Sequence, residues 1–290
     1  MNALLNKIRV STLERVHALD MRKLESEISL SRTPKNFLDL FHSSGDRLRI
    51  IAEIKFASPS LGTIHNETHN PLSIAKDYLT NGAAALSILT EPHFFNGNIE
   101  FLKSVRQRYP SSYLLMKDFI LHEVQLRQAR VYGADAILLI ASFLQPKELS
   151  ELYQKAIVLG LTPLVEVHSQ KELEIALELN PLLIGINNRN LNSLSIDLNI
   201  SRDLISLVPE NTYVISESGL HSGQELNEMV HLGFDGFLIG TSLMKTKMPG
   251  ITLKQLIVDF QKNILGRTNS HTKDTSPSQN AFLEGYANEN

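Results

Sequence analysis

Short apolar runs alternate with helical patterns over most of this chain. From Arg49 onward the runs recur every ~20–35 residues, the size of a βα unit. They predict strands near 49–54, 84–89, 113–117, 136–140, 163–167, 182–187, 212–216 and 235–239. Apolar positions at helical spacing predict helices near 71–81, 97–108, 121–132, 146–158, 169–179, 199–207 and 221–231, with a last one near 251–264. The strand runs are near-continuous rather than alternating, the pattern of parallel strands covered on both faces. Such units in series predict an α/β fold, an eight-stranded parallel (β/α) TIM barrel.

The two ends read differently. Leu4, Ile8, Leu13, Val16, Leu24 and Ile28 recur at mostly helical spacing, and Ser11-Thr12-Leu13-Glu14 fits a capping box. Residues 1–45 are therefore expected to form an N-terminal helical extension, punctuated by Pro34 and Ser43-Ser44-Gly45-Asp46. The barrel is expected over 46–266. From 267 to 290 the chain is mainly Ser, Thr, Asn, Lys, Asp and Pro, and a disordered polar tail is expected. A weak repeat, Asn81-Gly82-Ala83, Tyr132-Gly133-Ala134 and Leu232-Gly233-Phe234, falls before even-numbered strands, with Gly suited to a left-handed helix end.

Six of the strand runs end in polar residues that a buried strand does not ordinarily carry. Glu53 and Lys55 are two apart, so both point to one face. Solvated charges on an edge strand would give the same pair, but the loop Ala57-Ser58-Pro59-Ser60-Leu61-Gly62 is suited to wrapping a ligand. Lys117 ends the third strand, a position that also fits a snorkelling lysine. Glu166 lies between Val165 and Val167, where a doubly covered sheet has no place for a solvated carboxylate. Near lysines it is a natural general base. Asn187, Asn188 and Arg189 cap the sixth strand, where asparagine also serves as plain turn chemistry. Ser216-Glu217-Ser218-Gly219 and Gly240-Thr241-Ser242 end the last two strands and fit the phosphate cradle that such barrels build there. The residues alone point to acid–base chemistry on a sugar phosphate or similar anion, at the C-terminal rim of the barrel.

Composition narrows the classes. A formal net charge of −3 gives no basic footprint for nucleic acid. There is no cysteine, hence no disulfide framework and no thiolate zinc site. No apolar run reaches the ~18 residues of a membrane span. Met1 to Arg9 lacks the apolar core of a signal peptide, so a cytoplasmic protein is expected. No dinucleotide fingerprint or Walker A motif occurs. His168 beside Glu166, and His65 with His69, are read as surface or loop histidines, and no metal or other cofactor is expected.

The motifs resemble those of the indole-3-glycerol phosphate synthase family over about residues 1–265. The resemblance rests on Ile51-Ala52-Glu53-Ile54-Lys55 with Ala57-Ser58-Pro59-Ser60, Phe94-Phe95-Asn96-Gly97 and Met116-Lys117-Asp118-Phe119-Ile120. It rests equally on Leu164-Val165-Glu166-Val167-His168, Gly185-Ile186-Asn187-Asn188-Arg189, Ser216-Glu217-Ser218-Gly219 and Phe237-Leu238-Ile239-Gly240-Thr241-Ser242. It implies ring closure of 1-(2-carboxyphenylamino)-1-deoxyribulose 5-phosphate in tryptophan biosynthesis, with loss of carbon dioxide and water. By position, Lys117 would be the general acid, Lys55 would hold the substrate carboxylate and assist the later proton transfer, and Glu166 would serve the dehydration as acid or base. Glu53 and Glu217 would stabilise the developing iminium and orient the lysines, and Asn187 would position a hydroxyl or Glu166. Ser58, Gly219, Gly240 and Thr241 would contact phosphate, and Phe95, Phe119 and Leu138 would pack the aromatic ring. Arg189, Ser218 and Leu238 would complete the substrate site. The leading helices would help close it. The implied partner is a small phosphorylated substrate, acted on by a monomer. Many members carry basic residues where this chain has Phe56 and Leu61. A sugar-phosphate isomerase on the same fold and a silent binding subunit are the alternatives.

Overall fold

The computed structural model of the chain describes residues 3–42, 48–64 and 70–271. Eight parallel strands close into a barrel: β1 (Ile50–Ile54), β2 (Ala85–Leu89), β3 (Leu114–Lys117), β4 (Ala136–Ile140), β5 (Thr162–Val167), β6 (Leu183–Asn187), β7 (Tyr213–Glu217) and β8 (Gly236–Ile239). Each strand pairs with its neighbour in sequence, and β1 closes on β8 with Ile51 beside Leu238. All eight expected strands are present within a residue or two.

Helices form where the caps allow. Asn70 accepts from Leu72 and Ser73 N–H at the start of the helix Pro71–Thr80. Ser169 accepts from Glu172 N–H at the start of Gln170–Leu177. Gly82, Gly133 and Gly233 all have positive φ, as the repeat predicts for glycines that end helices before even-numbered strands. The last helix, Pro249–His271, runs further than expected and enters the segment read as tail. Residues 272–290 and the Ser43-Ser44-Gly45-Asp46 cluster lie outside the described residues, as do His65 and His69.

Two buried layers result. Ile50, Ala52, Ile54, Leu86, Ile88 and their equivalents face outward against the helices. Ile51, Ala85, Leu115, Leu138, Leu164, Leu183, Ile215 and Leu238 fill the interior. Phe56 is 1% exposed and packs edge-on against Phe101, with ring centroids 5.7 Å apart. It points into the helical layer, as its position after Lys55 predicts.

The N-terminal extension spans both ends of the barrel. Its first helix, Ala3–His17, buries Leu5 and Ile8 in the same cluster as Phe119, Ile140 and Phe143 at the C-terminal rim. Further on, Phe37 meets Tyr113 edge-on and Phe41 stacks on Tyr213, just where β3 and β7 begin. The capping box expected at Ser11-Thr12-Leu13-Glu14 does not form, because the helix runs straight through it and buries Thr12. The working cap is Asp20, which accepts from Lys23 N–H and starts the helix Met21–Ile28. Leu13, placed on the buried face by the periodicity, is 38% exposed.

Candidate active site

Strand polarity sends the polar strand ends to one rim. A cavity of about 450 Å³ opens there. Glu53, Lys55, Lys117, Glu166, Asn187, Arg189 and Glu217 all line it. So do Phe95, Phe119, Leu138, Ser218, Gly219, Leu238, Gly240 and Thr241. Of the expected site residues, only Ser58 stands back. Its hydroxyl lies 3.3 Å from that of Ser60, and Ser60 lines the cavity.

Lys117 is the centre of the charged floor. Its Nζ lies 2.8 Å from Glu166 Oε2 and 2.6 Å from Glu217 Oε2. Burial opposes the ammonium charge, but Glu166, then Glu217 and Glu53, outweigh it and raise its pKa well above the ordinary lysine range. Glu166 and Glu217 diverge. Burial would raise both, but Lys117 and then His168 pull Glu166 well below the usual carboxylate range. Burial pushes Glu217 up to about 8, against the pull of Lys117 and helped by the nearby Glu166. One ammonium cannot neutralise two buried carboxylates, and only Glu166 has a second cation. Of the two carboxyls, Glu217 is therefore the one shifted toward holding a proton.

The second lysine is paired within its own strand. Lys55 Nζ lies 2.6 Å from Glu53 Oε1, with side-chain exposures of 14% and 5%. Glycines make room for the carboxylates. A methyl group at Gly185 would collide with Glu217 Oε1, and one at Gly240 with Glu53 Oε1.

The sixth strand end divides its labour. Asn187 faces the cavity and accepts from Arg189 N–H at 3.0 Å. Asn188 is fully buried and donates to Ser216 Oγ and to the carbonyls of Glu217 and Ser218, which is turn chemistry joining β6 to β7. Arg189 donates to the Leu194 carbonyl at 2.9 Å; burial lowers its pKa while Glu53 opposes the shift. The loops after β7 and β8 are tied by Ser242, which donates to the Leu220 carbonyl at 3.1 Å. Ser218 and Gly219 both have positive φ, so their backbone turns sharply at the rim.

Phe95 and Phe119 give the cavity an aromatic wall, with centroids 5.9 Å apart, and Phe119 packs on Phe143 behind it. Asp118 secures this wall to the extension. Arg15 of the first helix reaches both its carboxylate oxygens at 2.8 and 3.1 Å, and Thr90 donates to it at 2.6 Å.

His168 corrects the sequence reading. It is not a surface histidine: its side chain is 8% exposed and sits between Glu166 and Glu172. The available signal was its spacing, two residues after Glu166 and hence on the same face. Arg15 and the cavity-lining residues Leu191, Leu194, Ile196, His221 and Lys245 were also missed, because they lie on the extension or in loops without strand periodicity. Among the described residues no helix is long and apolar enough to cross a membrane.

Comparison with known proteins agrees with this geometry. The family model described as indole-3-glycerol phosphate synthase matches residues 3–256. An indole-3-glycerol phosphate synthase of Campylobacter jejuni (strain RM1221) is 45% identical over 224 residues, covering 77% of this chain and 86% of the relative. One of Aliarcobacter butzleri is 40% identical over 247 residues, covering 84% and 93%. Among solved structures, 3-hexulose-6-phosphate synthase from Salmonella typhimurium superposes with a TM-score of 0.58 at 10% identity, over 73% of this chain and 99% of that one. That likeness concerns the barrel alone. The family model spans both the extension and the barrel that carries the lysines and glutamates, and the chain belongs to the indole-3-glycerol phosphate synthase family.

Proposed function

We propose that this site closes the indole ring of indole-3-glycerol phosphate from 1-(2-carboxyphenylamino)-1-deoxyribulose 5-phosphate, releasing carbon dioxide and water. The observation that carries the reading is Lys117, an ammonium clamped by Glu166 and Glu217 in a cavity that also presents an aromatic wall.

The reaction needs three events. First, the ring carbon that bears the carboxylate bonds to the ketone carbon, and the ketone oxygen takes a proton. Lys117 is the donor: it holds its proton firmly at rest and releases it only to an oxygen gaining negative charge. Second, the carbon–carboxylate bond breaks and its electrons return to the ring. Lys55 holds that carboxylate until it leaves, and Glu53 and Glu217 face the cationic intermediate. Third, the hydroxyl departs with a proton as water while a proton leaves the neighbouring carbon. Glu166, the ionised carboxylate of the pair, serves this step. Asn187 orients the hydroxyl or Glu166.

Binding follows the same division. Phe95, Phe119 and Leu138 take the aromatic ring. Ser218, Gly219, Gly240 and Thr241, with Ser60 at the first loop, take the phosphate through N–H and hydroxyl donors. Arg189 and Leu238 complete the enclosure, and Ser58 acts through Ser60. Holding both reacting carbons in one pose lowers the entropic part of the barrier. The same reading makes the protein a cytoplasmic monomer, for which a dimer mass in sedimentation would be the contrary result. Incubation of purified protein with the carboxyphenylamino substrate should produce indole fluorescence, and its absence would overturn the proposal.

A further inference from the structure

We propose that His168 is a positioning residue for this reaction: caught between Glu166 and Glu172, it keeps the Glu166 carboxylate ionised and turned toward the cavity. The inference rests on the role given to Glu166 above. His168 follows β5 directly, and its Nε2 lies 3.3 Å from Glu166 Oε1. Its Nδ1 lies 3.1 Å from Glu172 Oε2, and the same oxygen accepts the His168 backbone N–H at 2.8 Å. Glu172 is held in turn, since its N–H donates to Ser169 Oγ at 3.3 Å. The imidazole is thus fixed at both its backbone and its ring.

Each ring nitrogen faces a carboxylate oxygen. A neutral imidazole would turn a lone pair toward one of them; the imidazolium hydrogen-bonds Glu172 through Nδ1 and stands in ion-pair range of Glu166 through Nε2, which makes no hydrogen bond. The charged groups acting on the ring are Glu166 of β5 and Glu172 of the following helix. Lys117 of β3 reaches it through Glu166, and Glu217 of β7 through Lys117. Burial disfavours the charge, yet the two carboxylates push His168 up to about 9.

The arrangement assigns the two oxygens of Glu166 to different cations. Oε2 meets Lys117 and Oε1 meets His168. When Lys117 gives its proton to the ketone oxygen, Glu166 loses its cationic neighbour there. His168 remains, so Glu166 stays a carboxylate until the dehydration step takes its turn.

The test uses the full chain and three variants, His168→Asn, His168→Leu and Glu172→Gln. For His168→Asn, kcat should fall about 10-fold with KM within about twofold, and the acid limb of kcat against pH should move upward as Glu166 becomes easier to protonate. His168→Leu should show a larger loss, and Glu172→Gln a smaller shift in the same direction. Independently of turnover, NMR titration of the wild type should show one histidine, absent from the spectrum of His168→Asn, titrating well above ordinary imidazole. Should the His168 variants not fold, Glu172→Gln decides, because Glu172 lies at the partly open edge. An unmoved acid limb in the folded variants, or a His168 that titrates as ordinary imidazole, overturns the proposal. A wild type without turnover overturns the functional reading instead, and the titration still decides the ion pairing.

Discussion

Gly185 leaves the space that the Glu217 carboxylate occupies. The two residues are on adjacent strands, and a Cβ at 185 would fall on Glu217 Oε1. Gly185→Ala should therefore push Glu217 away from Lys117. Overpacking of this kind costs about 1–3 kcal/mol, and kcat should fall along with the melting temperature. A variant with wild-type kcat would show that Glu217 need not sit where it does.

Lys117→Ala should remove turnover and leave substrate binding largely in place. Loss of a general acid costs roughly 10²–10⁴ in rate. It also leaves Glu166 and Glu217 facing each other without their shared cation. A kcat within a few-fold of wild type would reassign the acid.

Stability should fall as pH rises from about neutrality toward the alkaline side. The folded pKa of His168, about 9, lies above its ordinary 6.5, so its contribution is complete below 6.5 and lost as pH rises through 9. Glu217 acts with the same sign. Its folded value, about 8 against an ordinary 4.5, means that the native state holds a proton that the unfolded chain has released, at growing cost between those values. Glu166 acts the other way: its folded pKa is depressed, so its contribution is lost as pH falls below 4.5. Denaturant melts from pH 6 to 9.5 should show the decline, shallower in His168→Asn. A flat profile in the wild type would contradict both assignments.

Arg15→Ala should loosen the first helix from the rim. Asp118 is buried and would keep Thr90 and the Phe119 N–H but lose its bidentate cation. Leaving such a carboxylate without its partner costs about 3–5 kcal/mol when fully buried, and less here, where Arg15 is 24% exposed. The expected result is a lower melting temperature and a higher KM, because Phe119 is the next residue. Calorimetry and steady-state kinetics together check it; unchanged KM would separate the clamp from the site.

Leu61 is 43% exposed and lines the cavity. A cation there could reach an anionic substrate, so Leu61→Lys should lower KM a few-fold at low salt with little change in kcat. Added salt should erase the gain, since exposed charges are screened over about 10 Å at 0.1 M. A gain that persists at high salt would mean that Leu61 acts through packing.

Phe56 and Glu166 show why so much of the site was legible in the sequence. Strand side chains alternate, so the pattern alone sends Glu53 and Lys55 inward and Phe56 outward, and all three do so. A glutamate between valines in a doubly covered sheet likewise has nowhere to point but the interior. Helix ends were less legible: Ser11 and Thr12 offered a capping box that the helix overrode, because burial of Leu5, Ile8 and Val16 on one continuous face outweighs a local cap.

The sequence by itself determined the barrel, the order of its strands and which polar residues reach its rim, because these follow from local periodicity and chain order. Only the tertiary structure decided how those residues pair. Lys117 meets Glu166 and Glu217 across sequence separations of 49 and 100 residues, and Arg15 meets Asp118 across 103. It also decided the direction in which each carboxyl is pushed: Glu166 and Glu217 are the same residue type on the same rim, yet their surroundings shift them to opposite sides of the ordinary value. The difference is His168, whose charge two flanking carboxylates sustain against burial, and those neighbours meet only once the barrel has closed.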